Sequence, residues 1–139
     1  MIVQKVTRKN DYSDLDLDFL AHPTTGDVVK KTGLDAIKRS VRNLILTNYY
    51  DKPFRPGIGS NAQKILFDNI NPFTATFLKD AIIEVISNFE PRVKLAEDET
   101  DGVVVSVNAD DNGYNVRLTF SIINTGASAV ISLFLERIR

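Results

Sequence analysis

The chain has 139 residues, 43% of them hydrophobic and 25% charged, as in an ordinary soluble globular domain, and its net charge of −1 excludes the basic footprint of a nucleic-acid-binding protein. Cysteine is absent, His22 is the only histidine, and no apolar run reaches the ~18 residues of a membrane span or resembles a signal peptide. The composition therefore predicts an intracellular or virion-type protein without a cofactor, a metal ion, a nucleic-acid partner or a membrane partner.

The first part of the chain predicts an arm, an extended segment and a turn. Residues 1–13 are expected to form an N-terminal arm and residues 14–139 a single domain, because termini are poorly ordered unless something holds them. Acidic and apolar residues alternate over residues 14–20, which is typical of a half-buried strand or extended segment. Residues 22–27 hold proline and glycine in a polar run and predict a turn, with His22 as a loop residue.

Three stretches with apolar residues three and four apart predict helices at about 34–47, 61–69 and 72–90. Ser60 is expected to cap the second helix, and Asn71, followed by a proline, to begin the third. The third helix has the longest apolar stripe, which predicts that it is the core helix. That stripe consists of Phe73, Phe77, Leu78, Ala81, Ile82, Val85, Ile86 and Phe89.

The connection between the first two helices, residues 48–60, contains two prolines and two glycines and therefore predicts an irregular loop. Its four large apolar side chains are unusual in a flexible linker, so we expect the loop to pack on the domain through them. They are Tyr49, Tyr50, Phe54 and Ile58. The glycines lack the following lysine and hydroxyl residue of a phosphate-binding loop.

After the third helix the apolar period changes to two, which predicts strands at about 93–97, 103–109, 114–123 and 128–138, with an acidic turn between the first two. Helices followed by strands that short turns connect predict an α+β fold. We expect the three helices to pack on a small, mainly antiparallel sheet.

The Asn112-Gly113 pair is the strongest hairpin signal in the chain and predicts a two-residue type I′ loop. Such a loop fixes the register of the two strands that it joins, and all their apolar residues then fall on one face of the sheet. The predicted pairs are Val107 with Leu118, Val105 with Phe120, and Val103 with Ile122.

The last strand is apolar on both faces, which a strand with one face in water does not require. Ile131, Leu133 and Leu135 supply one face, and Val130, Phe134 and Ile138 supply the other. The second face is covered either by the chain's own helices or by a partner that adds a strand at the sheet edge. The sequence leaves both alternatives open.

The sequence lacks the residue combinations of common catalytic sites. The single histidine precedes a proline in a loop, and no serine stands in a Gly-x-Ser-x-Gly context. A glycosidase-type carboxylate pair stays open, because eighteen acidic residues always allow some pair to be drawn. Glu90 adjoins the rigid Pro91, but Arg92 is expected to lower the pKa of Glu90 and make it a poor acid at neutral pH. We therefore expect no enzymatic activity.

The order of motifs along the chain resembles a known family. The motifs are Asp14-Leu15-Asp16 and Phe19; Leu34, Ala36-Ile37-Lys38, Ser40 and Asn43-Leu44-Ile45-Leu46-Thr47; Lys52-Pro53-Phe54, Pro56, Gly59-Ser60 and Leu66-Phe67; and Asn88-Phe89-Glu90-Pro91-Arg92-Val93. Over about residues 14–138 the chain resembles the baseplate wedge proteins that initiate the tail sheath of contractile-tailed phages, a family that extends to a baseplate subunit of type VI secretion systems. The Glu-Pro-Arg triplet alone is a weak motif, and its position after the long helix makes the combination specific.

This resemblance implies a structural role in assembly, without a cofactor, at the tail baseplate of a virion that is assembled in the host cytoplasm. The implied partners are the helical core bundle of other wedge subunits, the tail sheath protein, which would pair with a template strand, and baseplate proteins near the tail tube. The implied contact residues are Glu90, Pro91, Arg92, Val130, Phe134 and Ile138. Taken alone, the Glu90-Pro91-Arg92 turn is a helix stop with an exposed ion pair worth roughly 0–1 kcal/mol, whereas in the family it is a docking point that Pro91 makes rigid.

Two other functions stay open at this point. A baseplate glycosidase of lysozyme type would need two carboxylates roughly 5–9.5 Å apart across a cleft, one of them with a raised pKa. A small regulatory adaptor is implied by resemblance to an anti-adaptor of bacterial proteolysis with the same fold class, and it would bind one soluble partner.

Overall fold

The structure is a computed structural model that describes residues 12–16, 18–97 and 102–138. Most of the predicted arm and most of the predicted acidic turn lie outside the described residues. The prediction of an arm followed by a single domain therefore stays a prediction. The chain divides into two compact units, Met1–Ile37 and Lys38–Arg139.

The first unit contains a short antiparallel strand pair. Strand β1, Ser13–Leu15, pairs with strand β2, Lys30–Thr32. The predicted turn that follows β1 is confirmed, since the N–H of Gly26 donates to the carbonyl of His22 at 2.9 Å.

The burial pattern predicted for residues 14–20 is wrong. β1 ends at Leu15, and the side chains of Leu15 and Leu20 are exposed, whereas Asp16 is buried. The Asp16 carboxylate lies 3.5 Å from Nζ of Lys31. A buried carboxylate is tolerated when it is paired, so local polar contacts rather than the apolar alternation decide which side chain is inside.

Helix α1, Leu34–Leu46, ends one residue before its predicted end, and the boundary between the two units falls within it. Its buried side chains in the second unit are Val41, Leu44 and Ile45. The loop that follows is closed where the N–H of Ser60 donates to the carbonyl of Thr47 at 2.8 Å.

The prediction that this loop packs through its large apolar side chains is wrong for two of the four. Tyr50 and Phe54 are exposed, whereas Tyr49 and Ile58 are partly buried. Tight backbone turns hold the loop instead, including a 3.0 Å hydrogen bond from the N–H of Tyr50 to the carbonyl of Pro56.

Helix α2, Ala62–Ile65, is much shorter than the predicted 61–69. Beyond it the chain forms tighter turns, in which the N–H of Phe67 donates to the carbonyl of Lys64 at 3.3 Å, three residues back. Asn61, not Ser60, occupies the cap position. The Ser60 hydroxyl donates to the carbonyl of Ile45 at 2.7 Å and accepts from the N–H of Ala62 at 3.3 Å, so it ties α2 to α1.

Helix α3, Pro72–Phe89, begins as predicted, because Oδ1 of Asn71 accepts the N–H of Thr74 at 2.8 Å. Its buried face is the core of the second unit, as expected, and consists of Thr74, Ala75, Leu78, Ile82, Val85 and Ile86. Phe73 and Phe77, which were predicted to be buried, are 80% and 64% exposed. The first turn of α3 buries the smaller Thr74 and Ala75 instead, which turns the two phenylalanines outward.

The four remaining strands form one antiparallel sheet. These are β3, Val93–Leu95; β4, Val103–Asn108; β5, Gly113–Ile122; and β6, Ser128–Glu136. β6 pairs with β5 along nearly its whole length, so β4 and β3 share the opposite edge of β5, one after the other. The predicted α+β class, with three helices and an antiparallel sheet, is confirmed, and each strand of this sheet ends one or two residues earlier than expected.

The predicted hairpin register between β4 and β5 is wrong by four residues. Val103 lies opposite Leu118 and Val107 opposite Tyr114, so the loop has four residues, 109–112. The side chain of Asn108 sets this longer turn: its Oδ1 accepts the N–H of Asp111 at 3.2 Å, and its Nδ2 donates to the Asp111 carboxylate at 2.8 Å. A register shift by an even number of residues keeps each side chain on the same face of the sheet. The prediction of which residues lie on the inner face is therefore unaffected by the register error.

The inner face of the sheet completes the core around α3. Its buried side chains are Val93, Val103, Tyr114, Val116, Leu118, Phe120, Ile122, Ile131, Leu133 and Leu135. Among the described residues, no helix combines the length and the apolar character that a membrane crossing requires.

Candidate functional site

The turn between α3 and β3 is built by Glu90, Pro91 and Arg92. α3 ends at Phe89, Glu90 has non-helical backbone angles (φ −124°, ψ 75°), and Pro91 has no N–H with which to continue the helix. β3 begins at Val93, whose N–H donates to the carbonyl of Glu90 at 3.3 Å. The predicted helix stop is confirmed, and the turn is a fixed joint between helix and sheet.

The ion pair at this turn is not the exposed pair that the triplet alone suggested. The Glu90 side chain is only 3% exposed. Arg92 donates to it twice, from Nε to Oε1 at 2.5 Å and from Nη2 to Oε2 at 2.7 Å. Ser40, on α1, donates its hydroxyl to Oε2 at 2.6 Å and accepts from Nη2 of Arg92 at 3.1 Å. We call these three side chains the Glu90 cluster, and it ties the turn to α1.

The Glu90 cluster determines the charge of its carboxylate. Burial alone would raise the pKa of Glu90, but the hydrogen bonds from Arg92 and Ser40, together with the charge of Arg92, outweigh burial and hold the pKa below its ordinary value of 4.5. Glu90 is therefore ionised at neutral pH. A general acid of lysozyme type needs the opposite shift, so this carboxyl group is unsuited to that role.

The structure separates the three predicted contact residues of the turn. Glu90 is buried, Pro91 is exposed, and the side chain of Arg92 is 32% exposed. A partner at this turn would therefore meet Pro91 and Arg92, while Glu90 holds Arg92 in position from behind.

Two of the three residues predicted on the second face of the last strand lie there. Val130 and Phe134 are 43% and 46% exposed, on the side of the sheet opposite the buried Ile131 and Leu133. Both side chains therefore remain partly open to solvent.

Ile138 does not belong to this face, which corrects the prediction. β6 ends at Glu136, and the N–H of Ile138 then donates to the carbonyl of Leu66 at 3.0 Å. Nε of Arg137 also donates to the carbonyl of Asp68 at 3.0 Å. These bonds direct the chain away from the sheet and toward the segment after α2. The side chain of Ile138 therefore no longer follows the alternation of β6 side chains between the two faces of the sheet.

The outer face of the sheet carries an open groove of about 570 Å³. Phe134 forms one end of its lining and Val104 on β4 another, with Arg117 of β5 between them. The groove is shallow, mixed in polarity and without a convergent set of titratable groups, and so it suits a chain laid across the sheet better than a small substrate.

A second groove, of about 250 Å³, lies between β6 and α1. Val130 and Ile131 line it from the strand, and the basic side chains of Lys38, Arg39 and Arg42 line it from the helix. This groove was not predicted from the sequence. The available signal was the excess of three basic residues over one acidic residue in this helix.

Comparison with known proteins identifies the family to which the chain belongs. A family model described as baseplate wedge protein gp25 matches residues 31–127. The chain belongs to this family. It is 34% identical over 114 residues to the baseplate wedge protein gp25 of Enterobacteria phage T4, and the match covers 81% of each chain. The predicted family and the predicted location, the baseplate of a virion tail, are thereby confirmed, and the chain is a baseplate wedge protein of a contractile tail.

Solved structures show the same fold at low sequence identity. A putative tail lysozyme from Geobacter sulfurreducens superposes with a TM-score of 0.66 at 19% identity, covering 74% of this chain and 89% of that one. A chain of the anti-feeding prophage baseplate superposes with a TM-score of 0.61 at 20% identity, covering 89% of this chain and 82% of that one. The family match includes the Glu90 cluster and the basic side chains of α1 but ends before Val130.

Proposed function

We propose that this wedge protein is a non-enzymatic docking subunit, which binds the helical core bundle of the other wedge subunits through Pro91 and Arg92 and offers the tail sheath protein a strand edge at β6. The observation that carries the first part is the buried carboxylate of Glu90, which fixes the partly exposed side chain of Arg92 in one geometry. A contact group that is already ordered loses little conformational entropy when it binds.

The chemistry of the turn supports docking. Arginine is enriched among the residues that dominate binding energy at protein interfaces, and its planar group is suited to fixed multidentate contacts. Pro91 adds rigidity beside it, because its ring fixes one backbone angle. Pro91 also ends α3, but an arginine held by a buried carboxylate is not needed for that purpose.

A test of docking must keep the protein folded. Arg92→Ala would leave the buried Glu90 carboxylate without its cation, at a cost of about 3–5 kcal/mol, so loss of assembly by that variant would be ambiguous. The double substitution Glu90→Gln with Arg92→Gln removes both charges and retains groups that can hydrogen-bond to Ser40. We expect the double variant to fold and to fail to enter wedge complexes reconstituted from purified subunits.

The matched control is Lys94→Gln. Lys94 is exposed on the neighbouring strand and pairs with Glu97 at 2.6 Å, outside the Glu90 cluster. This variant should assemble normally. Normal assembly of a folded double variant would contradict docking through the turn.

The edge of β6 supports strand pairing. Within the part of the chain that the structure describes, β6 pairs with β5 alone, which leaves its other edge without a partner strand. On β5, the N–H of Thr119 donates to the carbonyl of Gly102, away from β6. Backbone groups alternate in direction along antiparallel strands, so those of Val130, Ser132 and Phe134 point to the open edge of β6.

This alternation selects the substitution that tests strand pairing. Ser132→Pro removes an N–H that points outward, and proline is tolerated at such edge positions, whereas a proline at Leu133 would break a bond to β5. We expect Ser132→Pro to form baseplates but fail to initiate the sheath. Ser132→Ala keeps the backbone N–H and should both form baseplates and initiate the sheath. Sheath initiation by Ser132→Pro at the normal level would contradict strand donation at this edge.

The absence of enzymatic activity is part of the proposal. The putative tail lysozyme named among the structural neighbours shares the fold at 19% identity, and fold alone does not transfer an activity. The lowered pKa of Glu90 argues against its use as an acid. A peptidoglycan hydrolysis assay with the purified protein should show no activity above that of the Glu90→Gln variant.

A further inference from the structure

The groove between β6 and α1 lies along the open edge of the sheet. Val130 and Ile131 are consecutive, and consecutive strand residues point to opposite faces. The groove is lined by these two residues of β6 and by α1, and by no residue of β5, which indicates that it lies at the edge of β6 rather than over either face. β5 occupies one edge of β6, so this groove is at the other edge.

The far wall of the groove is cationic. Lys38 and Arg42 stand one helical turn apart, and Arg39 lines the same cavity. Within the described ranges of the chain, neither Lys38 nor Arg42 has an ion-pair partner, and the residues that line the groove include no carboxylate. The chain as a whole carries a net charge of −1, so this wall is a local concentration of positive charge.

We infer that the segment that pairs with β6 is acidic, with carboxylate side chains on the face that meets Lys38 and Arg42. The inference rests on the strand edge proposed above and names the chemistry of its occupant. A strand added beside Val130 alternates its side chains between the two faces, and those on the same face as Ile131 enter the space beside α1.

The chain's own beginning does not supply this charge. Its first ten residues contain Lys5, Arg8 and Lys9 and no acidic residue. Like charges across a groove are unfavourable, whereas opposite charges both attract the partner and select its register. A basic segment is thus unsuited to the groove, whereas an acidic strand of another protein chain satisfies both the open strand edge and the cationic wall.

The test uses the full chain and three synthetic peptides of about ten residues, a typical strand length. One alternates threonine with glutamate, the second replaces every glutamate by glutamine, and the third replaces every glutamate by lysine. Binding is measured by fluorescence anisotropy at low and at physiological salt. The acidic peptide should bind at least about tenfold more tightly than the lysine peptide, with a preference that weakens as salt is added.

Charge reversal on the protein completes the test. Lys38→Glu with Arg42→Glu should reverse the order of the acidic and lysine peptides, while Lys52→Glu with Arg55→Glu, in the exposed loop, should not. Ser132→Pro should weaken all three peptides, because it acts on the backbone pairing that they share.

The outcomes distinguish the two claims. If the acidic and lysine peptides bind equally and Ser132→Pro weakens both, the strand edge stands and the acidic partner is wrong. If Ser132→Pro changes nothing, the strand edge itself is wrong. An oligonucleotide of equal charge that binds as tightly as the acidic peptide would also overturn the inference, because the wall would then recognise negative charge alone.

Discussion

Ser40 and Glu90 lie 50 residues apart in the chain, and the hydroxyl of Ser40 donates a 2.6 Å hydrogen bond to the buried carboxylate of Glu90. Ser40 stands between Lys38 and Arg42 on α1, so the helix that supports the docking turn also forms the wall of the edge groove. The two proposed contact surfaces of the protein therefore share one structural element.

Replacing Ser40 by alanine tests the energetic weight of this link. A hydrogen bond to a charged group contributes about 1.5–3 kcal/mol, so Ser40→Ala should lower the free energy of unfolding by about that amount. Urea denaturation measures it. Ser87→Ala, at an exposed position of α3, is the matched control and should change stability by less than about 0.5 kcal/mol. Equal effects of the two substitutions would mean that Ser40 contributes nothing specific.

The lowered pKa of Glu90 predicts a pH dependence of stability. A carboxyl group whose pKa is lower in the folded than in the unfolded protein stabilises the fold fully above its unfolded value, here 4.5, and loses that contribution as pH falls through the folded value. The stability difference between the wild type and Glu90→Gln should be constant above about pH 5 and shrink in acid. Unfolding curves measured from neutral pH into acid check this, and a pH-independent difference would contradict it.

Tyr114 offers a test of the core. Its side chain is fully buried, and its hydroxyl has no hydrogen-bond partner among the described residues. An unpaired buried hydroxyl costs about 1–3 kcal/mol, so Tyr114→Phe should leave stability unchanged or raise it. Leu118→Ala, at a similarly buried position of the same strand, should destabilise by about 2–5 kcal/mol and shows that the site is sensitive. A loss above about 1 kcal/mol in Tyr114→Phe would reveal a partner for the hydroxyl.

Gly59 is required by close backbone approach. A Cβ at this position would collide with the backbone of Asn48 and Tyr49, whereas a Cβ at Gly57 would meet nothing within 4 Å. Gly59→Ala should therefore lower the thermal midpoint markedly, because backbone atoms must move to admit the methyl group. Gly57→Ala should change it little, and a similar midpoint for the two variants would contradict the collision.

Local chemistry explains which parts of the fold could be predicted. The start of α3 depends on Asn71 and the following proline, and its end on Pro91, so both limits follow from a few adjacent residues. The burial of Phe73 and Phe77 was predicted from spacing alone and is wrong, since spacing does not show which flank of an apolar stripe meets the sheet.

The remaining errors share a cause. The hairpin register depends on hydrogen bonds from the side chain of Asn108 to the carboxylate and the backbone N–H of Asp111, which compete with the preference of Asn112-Gly113 for a shorter turn. The buried carboxylate of Glu90 accepts a hydrogen bond from Ser40, and no pattern around residue 90 indicates a partner 50 residues away. Contacts between distant or competing polar groups decided these features, and residue periodicity does not record them.

The most direct test of the account is a map of the assembled baseplate in which the side chains of this protein are visible. We predict a helical bundle of other wedge subunits against Pro91 and Arg92. We also predict a sheath strand about 4.8 Å from β6, at the open edge to which the backbone groups of Val130 and Ser132 point. A map in which the turn faces solvent and no strand lies beside β6 would contradict it.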